Sequence, residues 1–173
     1  YGNGVNASFA VHQNYTKTAV EKCLALAFSI GCNNLFETTF KKETISDLTG
    51  ERGVLMGLIQ GAFKAQYDVL RENGHSPTES YNETVEEALN SLYPIINKQG
   101  MDWLYKNCST TARIGALEWG PKFERCLKPL LEECYKSVEN GTEAELVIKK
   151  TLSDKYYEDI ERKELEELSE QEI

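Results

Sequence analysis

Asp47-Leu48-Thr49-Gly50-Glu51-Arg52-Gly53-Val54-Leu55-Met56-Gly57-Leu58-Ile59-Gln60-Gly61-Ala62-Phe63-Lys64-Ala65-Gln66-Tyr67-Asp68-Val69-Leu70-Arg71-Glu72-Asn73 is the stretch on which the fold turns. It reads as one long helix stopped by Gly74. Gly53, Gly57 and Gly61 recur among Val54, Leu55, Leu58, Ile59, Ala62 and Phe63. Each glycine in a helix interior costs about 0.8–1 kcal/mol relative to alanine. Their regular spacing predicts close backbone packing, with another helix lying almost against this one. Apolar residues occupy nearly every side, so the helix is expected to be buried in the middle of a bundle. Gln60, Lys64, Gln66 and Asp68 exclude a membrane span.

Two acidic pairs stand beside this stretch. Asp47 and Glu51 open it, and Glu83 and Glu87 follow in Tyr81-Asn82-Glu83-Thr84-Val85-Glu86-Glu87. Spacing of i, i+4 puts each pair on one helix face. Four converging carboxylates make a site for a hard divalent cation, which prefers oxygen ligands. The bland readings are an Asp47 that favours a helix N-terminus, a Glu51 paired with Arg52 or a lysine, and an ordinary solvated face at Glu83, Glu86 and Glu87. The context argues for a site, because the first pair begins an otherwise apolar helix, where unpaired carboxylates are costly. A straight helix from Gly53 to Asn73 would hold its ends about 30 Å apart. An antiparallel second chain solves this by bringing its Glu83 and Glu87 to the first chain's Asp47 and Glu51.

The 173 residues suffice for one domain with a sizeable core, and 40% of them are hydrophobic. A net charge of −9 argues against a nucleic-acid partner. That charge is uneven: 11 acidic and 5 basic residues between Glu143 and Ile173 give −6 there, leaving −3 for Tyr1–Thr142. No apolar run reaches the roughly 18 residues of a membrane span, and no signal or transit segment is read at Tyr1. Cys23, Cys32, Cys108, Cys126 and Cys134 are odd in number and lack Cys-x-x-Cys spacing. Disulfides and thiolate zinc are therefore not expected, and a reducing compartment is. His12 and His75 are read as ordinary residues, the cysteines as small core residues, Trp103 and Trp119 as packed, and the Asn-x-Ser/Thr tripeptides as chance.

Elsewhere, Ser8–His12 and Leu35–Phe40 read as short extended or irregular segments. Thr16 is read as the cap of a helix through Ser29, stopped by Gly31. Ser76-Pro77-Thr78-Glu79 opens the Glu83 helix, with Ser76 as cap and Pro77 at the first helical position, and that helix ends near Tyr93-Pro94. Another short helix is expected within Ile95–Lys106, a polar turn at Ser109–Ala112, and a helix over Lys122–Glu139 ended by Gly141. From Tyr156 the tail reads as a solvated helix. Gly2-Asn3-Gly4-Val5-Asn6-Ala7 matches G-x-G-x-x-A but has no strand before it, so it is read as a linker and no cofactor-binding residue is assigned. With no strand series able to build a sheet, the class is all-α.

These residues together resemble the C-terminal helical domain of ketol-acid reductoisomerase (acetohydroxy acid isomeroreductase). The matching stretches include Glu37-Thr38-Thr39-Phe40, Ser46-Asp47-Leu48-x-Gly50-Glu51-Arg52-Gly53, Ala65-Gln66-Tyr67-Asp68-Val69-Leu70-Arg71-Glu72-Asn73-Gly74-His75-Ser76-Pro77, Asn82-Glu83-Thr84-Val85-Glu86-Glu87-Ala88 and Cys108-Ser109-Thr110-Thr111-Ala112-Arg113. The Gly50-Glu51-Arg52 form resembles the variant of fungi and some bacteria. The resemblance covers residues 1–142, a metal- and substrate-binding domain, and leaves 143–173 as an acidic tail.

The resemblance implies an interlocked, knotted or knot-like helical domain that pairs with a second copy, forming a homodimer with shared active sites. It implies two Mg2+ per site, held by Asp47, Glu51, Glu83 and Glu87, with Glu51 and Glu87 catalytic and Ser109 on the substrate carboxylate. The implied reaction is alkyl migration in a 2-acetolactate-type acid followed by reduction with NADPH, in valine and isoleucine synthesis. The family's NADPH-binding Rossmann domain has no counterpart here, so it is expected in cis or in trans. The implied location is cytoplasmic in a bacterium and mitochondrial or plastid in a eukaryote. The alternative is a non-catalytic dimerisation or metal-binding module.

Overall fold

A computed structural model describes residues 4–152. The tail helix expected from Tyr156, and Gly2 and Asn3 of the glycine linker, lie outside the described residues. The chain forms two compact units, one up to Glu51 and one from Arg52 onward.

In the first unit, β1 (Ala7–Phe9) and β2 (Leu35–Glu37) pair in parallel, Ala7 opposite Leu35. The all-α expectation is corrected to this extent, although the described fold is mostly helical. Three-residue strands are too short to show alternation, and a parallel pair needs a crossover that only the folded chain reveals. Here α1 (Ala19–Ser29) is that crossover. Its cap is Thr18 rather than Thr16, and Asn14 Oδ1 accepts from the Ala19 amide at 3.1 Å. Gly31 stops the segment in the left-handed region, φ 88. The second helix, α2 (Phe40–Gly50), begins behind Thr39, whose side chain accepts from the Lys42 amide.

The single helix expected over Asp47–Asn73 is two helices. α2 ends at Gly50, Gly53 leaves the helical region (φ −84, ψ −128), and α3 (Gly57–Glu72) starts anew. The three glycines of the row stand in three different surroundings. Gly53 is buried, and a Cβ there would lie 3.2 Å from Leu131 Cδ2. Gly57 lets the backbone fold back on itself, since a Cβ there would lie 2.3 Å from the Arg52 carbonyl oxygen. Gly61 has nothing within 4 Å of a Cβ position. Gly57→Ala is therefore expected to destabilise the fold by about 3 kcal/mol, by backbone strain, with Gly61→Ala neutral or stabilising. Chemical denaturation of the two variants checks this, and equal midpoints would remove the folded-back turn.

The second unit has its core where α3 meets α4 (Pro77–Tyr81) and the turn that follows. Tyr67, Ser80, Thr84 and Val85 are buried there. Ser76 and Glu79 close a capping box: the Ser76 hydroxyl oxygen accepts from the Glu79 amide, and Glu79 Oε2 accepts from the Ser76 amide at 2.9 Å. The helix does not end at Pro94. Two π-helical turns, Asn82–Glu86 and Ala88–Leu92, lead into α5 (Tyr93–Gln99), and Gly100 at φ 86 ends it. A wide turn shifts the bonding register just ahead of Pro94, which has no N–H to give. α6 (Met101–Asn107) follows.

α7 (Thr110–Glu139) starts 12 residues before the expected Lys122, with Pro121 and Pro129 inside it. Each proline removes one donor, and the rest of the ladder holds. Gly141, at φ 88, separates it from α8 (Thr142–Thr151). The expectation of a buried central helix is not met in the single chain. Val54, Leu55, Met56, Trp119, Phe123 and Leu130 are each more than half exposed, and Trp103 is exposed too. All five cysteines are free thiols and none is buried, Cys126 being exposed. Among the described residues no helix is long and apolar enough to cross a membrane.

Candidate metal centre

Both acidic pairs form as pairs. Asp47 lies in the last turn of α2, and the Glu51 amide donates to the Asp47 carbonyl, so the two side chains leave the helix one turn apart. Both are exposed. The helix begins at Phe40, so Asp47 sits near its C-terminus and not at the N-terminus that the bland reading assumed. There the partial charge of the helix end is negative and disfavours carboxylates. A cation held near that helix end would offset the repulsion.

Glu83 and Glu87 are exposed on the first π turn. Asn82 Nδ2 lies 3.0 Å from Glu87 Oε1 and 3.4 Å from Glu83 Oε1, so one amide spans both carboxylates. Gln66 Nε2, from α3, donates to the Glu83 carbonyl at 3.0 Å. Neither Asn82 nor Gln66 was singled out in the sequence, because periodicity carries no signal for a π turn. Within one chain, no three His, Cys, Asp or Glu side chains among the described residues come together as a metal-holding group.

Ser109 caps α7. Its Oγ accepts from the Ala112 amide at 3.1 Å, so Ser109–Ala112 is the cap and first turn of a 30-residue helix and not a free turn. As that cap, Ser109 stands at the positive end of α7.

Arg52 is anchored to Glu143. Its Nε lies 2.8 Å from Glu143 Oε2, and Ser137 Oγ donates to Glu143 Oε1 at 3.1 Å. The Arg52 hydrogen bond holds the Glu143 carboxyl below its ordinary range, helped by Ser137 and opposed by partial burial. A lowered folded pKa gives stability that is present above the unfolded value and lost as pH falls through the folded one. Glu143→Gln is thus expected to cost about 1 kcal/mol at pH 7. Thermal melts should show the gap closing as pH falls below the ordinary value of 4.5. A gap independent of pH would mean that the charge plays no part.

Comparison with known proteins bears on the same residues. The family described as "Ketol-acid reductoisomerase, C-terminal domain" matches residues 40–173. Mitochondrial ketol-acid reductoisomerase of Neurospora crassa is 54% identical over 172 residues, covering 99% of this chain and 42% of that protein. Ketol-acid reductoisomerase (NAD(+)) of Desulfosudis oleivorans is 49% identical over 172 residues, covering 99% of this chain and 49% of that protein. A solved structure of an NADH-preferring ketol-acid reductoisomerase from an uncultured archean superposes with a TM-score of 0.85 at 25% identity, over 96% of this chain and 52% of that one. The chain spans less than half the length of these curated relatives. The match over residues 40–173, the identity and the shared fold agree, and the chain belongs to the ketol-acid reductoisomerase family, in the part formed by its C-terminal domain.

Proposed function

We propose that this chain supplies the metal- and substrate-binding part of a ketol-acid reductoisomerase, acting on 2-acetolactate-type acids in valine and isoleucine synthesis. The observation that carries the reading is the family match over residues 40–173, within which Asp47 and Glu51 stand one turn apart at the end of α2. Asp47, Glu51, Glu83 and Glu87 offer only carboxylate oxygens, which fits Mg2+. Bound there, two magnesium ions would supply Lewis-acid polarisation of the substrate oxygens and a template for the migrating skeleton.

The chain's own residues then have separate tasks. Ser109 donates to the substrate carboxylate, which the α7 N-terminus also favours. Glu87, with Glu51, handles the proton that must leave the substrate hydroxyl as the alkyl group migrates. Reduction of the new ketone requires a hydride donor held by a nucleotide-binding domain outside residues 1–173. Relatives named for NAD(+) and for NADH preference widen that donor from NADPH to either nucleotide. The N. crassa relative is named as mitochondrial, and a eukaryotic source would place this chain in the same compartment.

The same proposal includes a homodimer, with the interlocked pairing that the resemblance implies. Large apolar side chains exposed in one chain, such as Phe123 and Leu130 on α7, are what a second copy would cover. The test is turnover of 2-acetolactate by the full-length protein with Mg2+ and NADH or NADPH. Product formation that stops on adding a chelator and returns with Mg2+ supports the reading. Turnover unaffected by chelation, or none under any of these conditions, would overturn it.

A further inference from the structure

The turn carrying Glu83 and Glu87 is not an ordinary helical turn. In an α-helix five residues turn through about 500°, so residues 82 and 87 would point about 140° apart. Here the Glu87 amide donates to the Asn82 carbonyl, an i to i+5 bond that stacks residue 87 almost over residue 82. Only this wide turn brings the Asn82 amide within 3.0 Å of Glu87 Oε1 while it stays 3.4 Å from Glu83 Oε1.

A wide turn leaves a debt elsewhere in the ladder. The Glu83 carbonyl would normally accept from the Glu87 amide, which is now engaged with Asn82. Gln66 Nε2 donates to that carbonyl at 3.0 Å instead. α3 is thus tied to the turn through the oxygen whose α-helical donor, the Glu87 amide, is engaged with Asn82. Two neighbouring carboxylates repel each other, and a shared N–H donor holds them facing one way.

We propose that Asn82 is a positioning residue, set by the π turn and by Gln66, that holds Glu83 and Glu87 together as one ready-made claw for a divalent cation. The inference rests on the reading of Glu83 and Glu87 as metal ligands and adds how the pair is pre-oriented. Pre-orientation predicts an effect on metal affinity rather than on the chemical step. Residues that orient metal ligands from behind are worth about 10–100-fold in affinity.

The test uses the full-length enzyme and its Mg2+ affinity, read by calorimetric titration without substrate and as the half-saturating concentration for turnover. Asn82→Leu has nearly the same shape and no donor. It should raise half-saturation about tenfold or more, with kcat at saturating Mg2+ within about twofold of wild type. Asn82→Gln keeps the amide and should recover most of the affinity, and Gln66→Leu should mimic Asn82→Leu more weakly. Thermal melts of all variants check that the fold persists, and Asn82→Ala replaces Asn82→Leu if that variant fails to fold. Glu87→Gln, run alongside, separates the two layers of the argument. If Glu87→Gln leaves Mg2+ dependence unchanged, the ligand reading fails and the proposal falls with it. If Glu87→Gln weakens Mg2+ while Asn82→Leu and Asn82→Ala do not, the positioning role alone is overturned.

Discussion

Asp47→Asn in the full-length enzyme should lower turnover by on the order of 10^3-fold, the scale for loss of one key electrostatic partner of a reaction. Asparagine keeps the shape and one oxygen, so the loss isolates the charge. A second signature separates a ligand from a structural residue. Asp47 lies at the C-terminal end of α2, one turn from Glu51. Without metal, removing its charge relieves repulsion from the helix end and from Glu51, so the variant should be more stable by about 0.3–1 kcal/mol. With metal the order should reverse, because only the native protein gains RT ln(1 + [Mg2+]/Kd). Melting both proteins across a magnesium series reads the crossing directly. Parallel curves, with equal gains from magnesium, would remove Asp47 from the ligand set.

The parts legible in the sequence are those that rest on one residue's own chemistry. Ser76-Pro77-Thr78-Glu79 names its capping box outright, and Gly31 and Gly141 mark stops because each needs positive φ. The i, i+4 spacing of the acidic pairs was legible, whereas the wide turn beneath Glu83 and Glu87 was not. What the sequence hid depends on partners distant along the chain. The apolar run through Gly53 and Gly57 looks helical throughout, and its kink depends on Leu131 reaching Gly53 and on the Arg52 carbonyl folding over Gly57. The first π turn has no local signature, since it involves Gln66 from another helix. Ser109–Ala112 read as a turn because it is polar, whereas a serine cap opens a long helix that tolerates the loss of single donors at Pro121 and Pro129.

Mixing two inactive chains should restore activity. The straight rod expected from Gly53 to Asn73 is broken, so its length no longer argues for a shared site on its own. The length of α3 does not argue for it either, because Gln66, in the middle of that helix, donates to the Glu83 carbonyl. We propose the shared site on the family resemblance, with Asp47 and Glu51 of one copy meeting Glu83 and Glu87 of another. In that arrangement an Asp47→Ala chain and a Glu87→Ala chain fail for different halves of the site. When full-length versions are mixed and allowed to exchange, about half of the dimers are mixed. In each mixed dimer one site collects both lesions and the other collects neither. Activity should return to about a quarter of wild type per protomer, from near zero in either parent. The exposed apolar residues of α7 predict that exchange is slow, so chains should be co-expressed or refolded together. Recovery near a quarter distinguishes a shared site from trace wild-type contamination, which would not scale with the mixing ratio. Mixed dimers that form but remain inactive would mean that each site is built within a single chain.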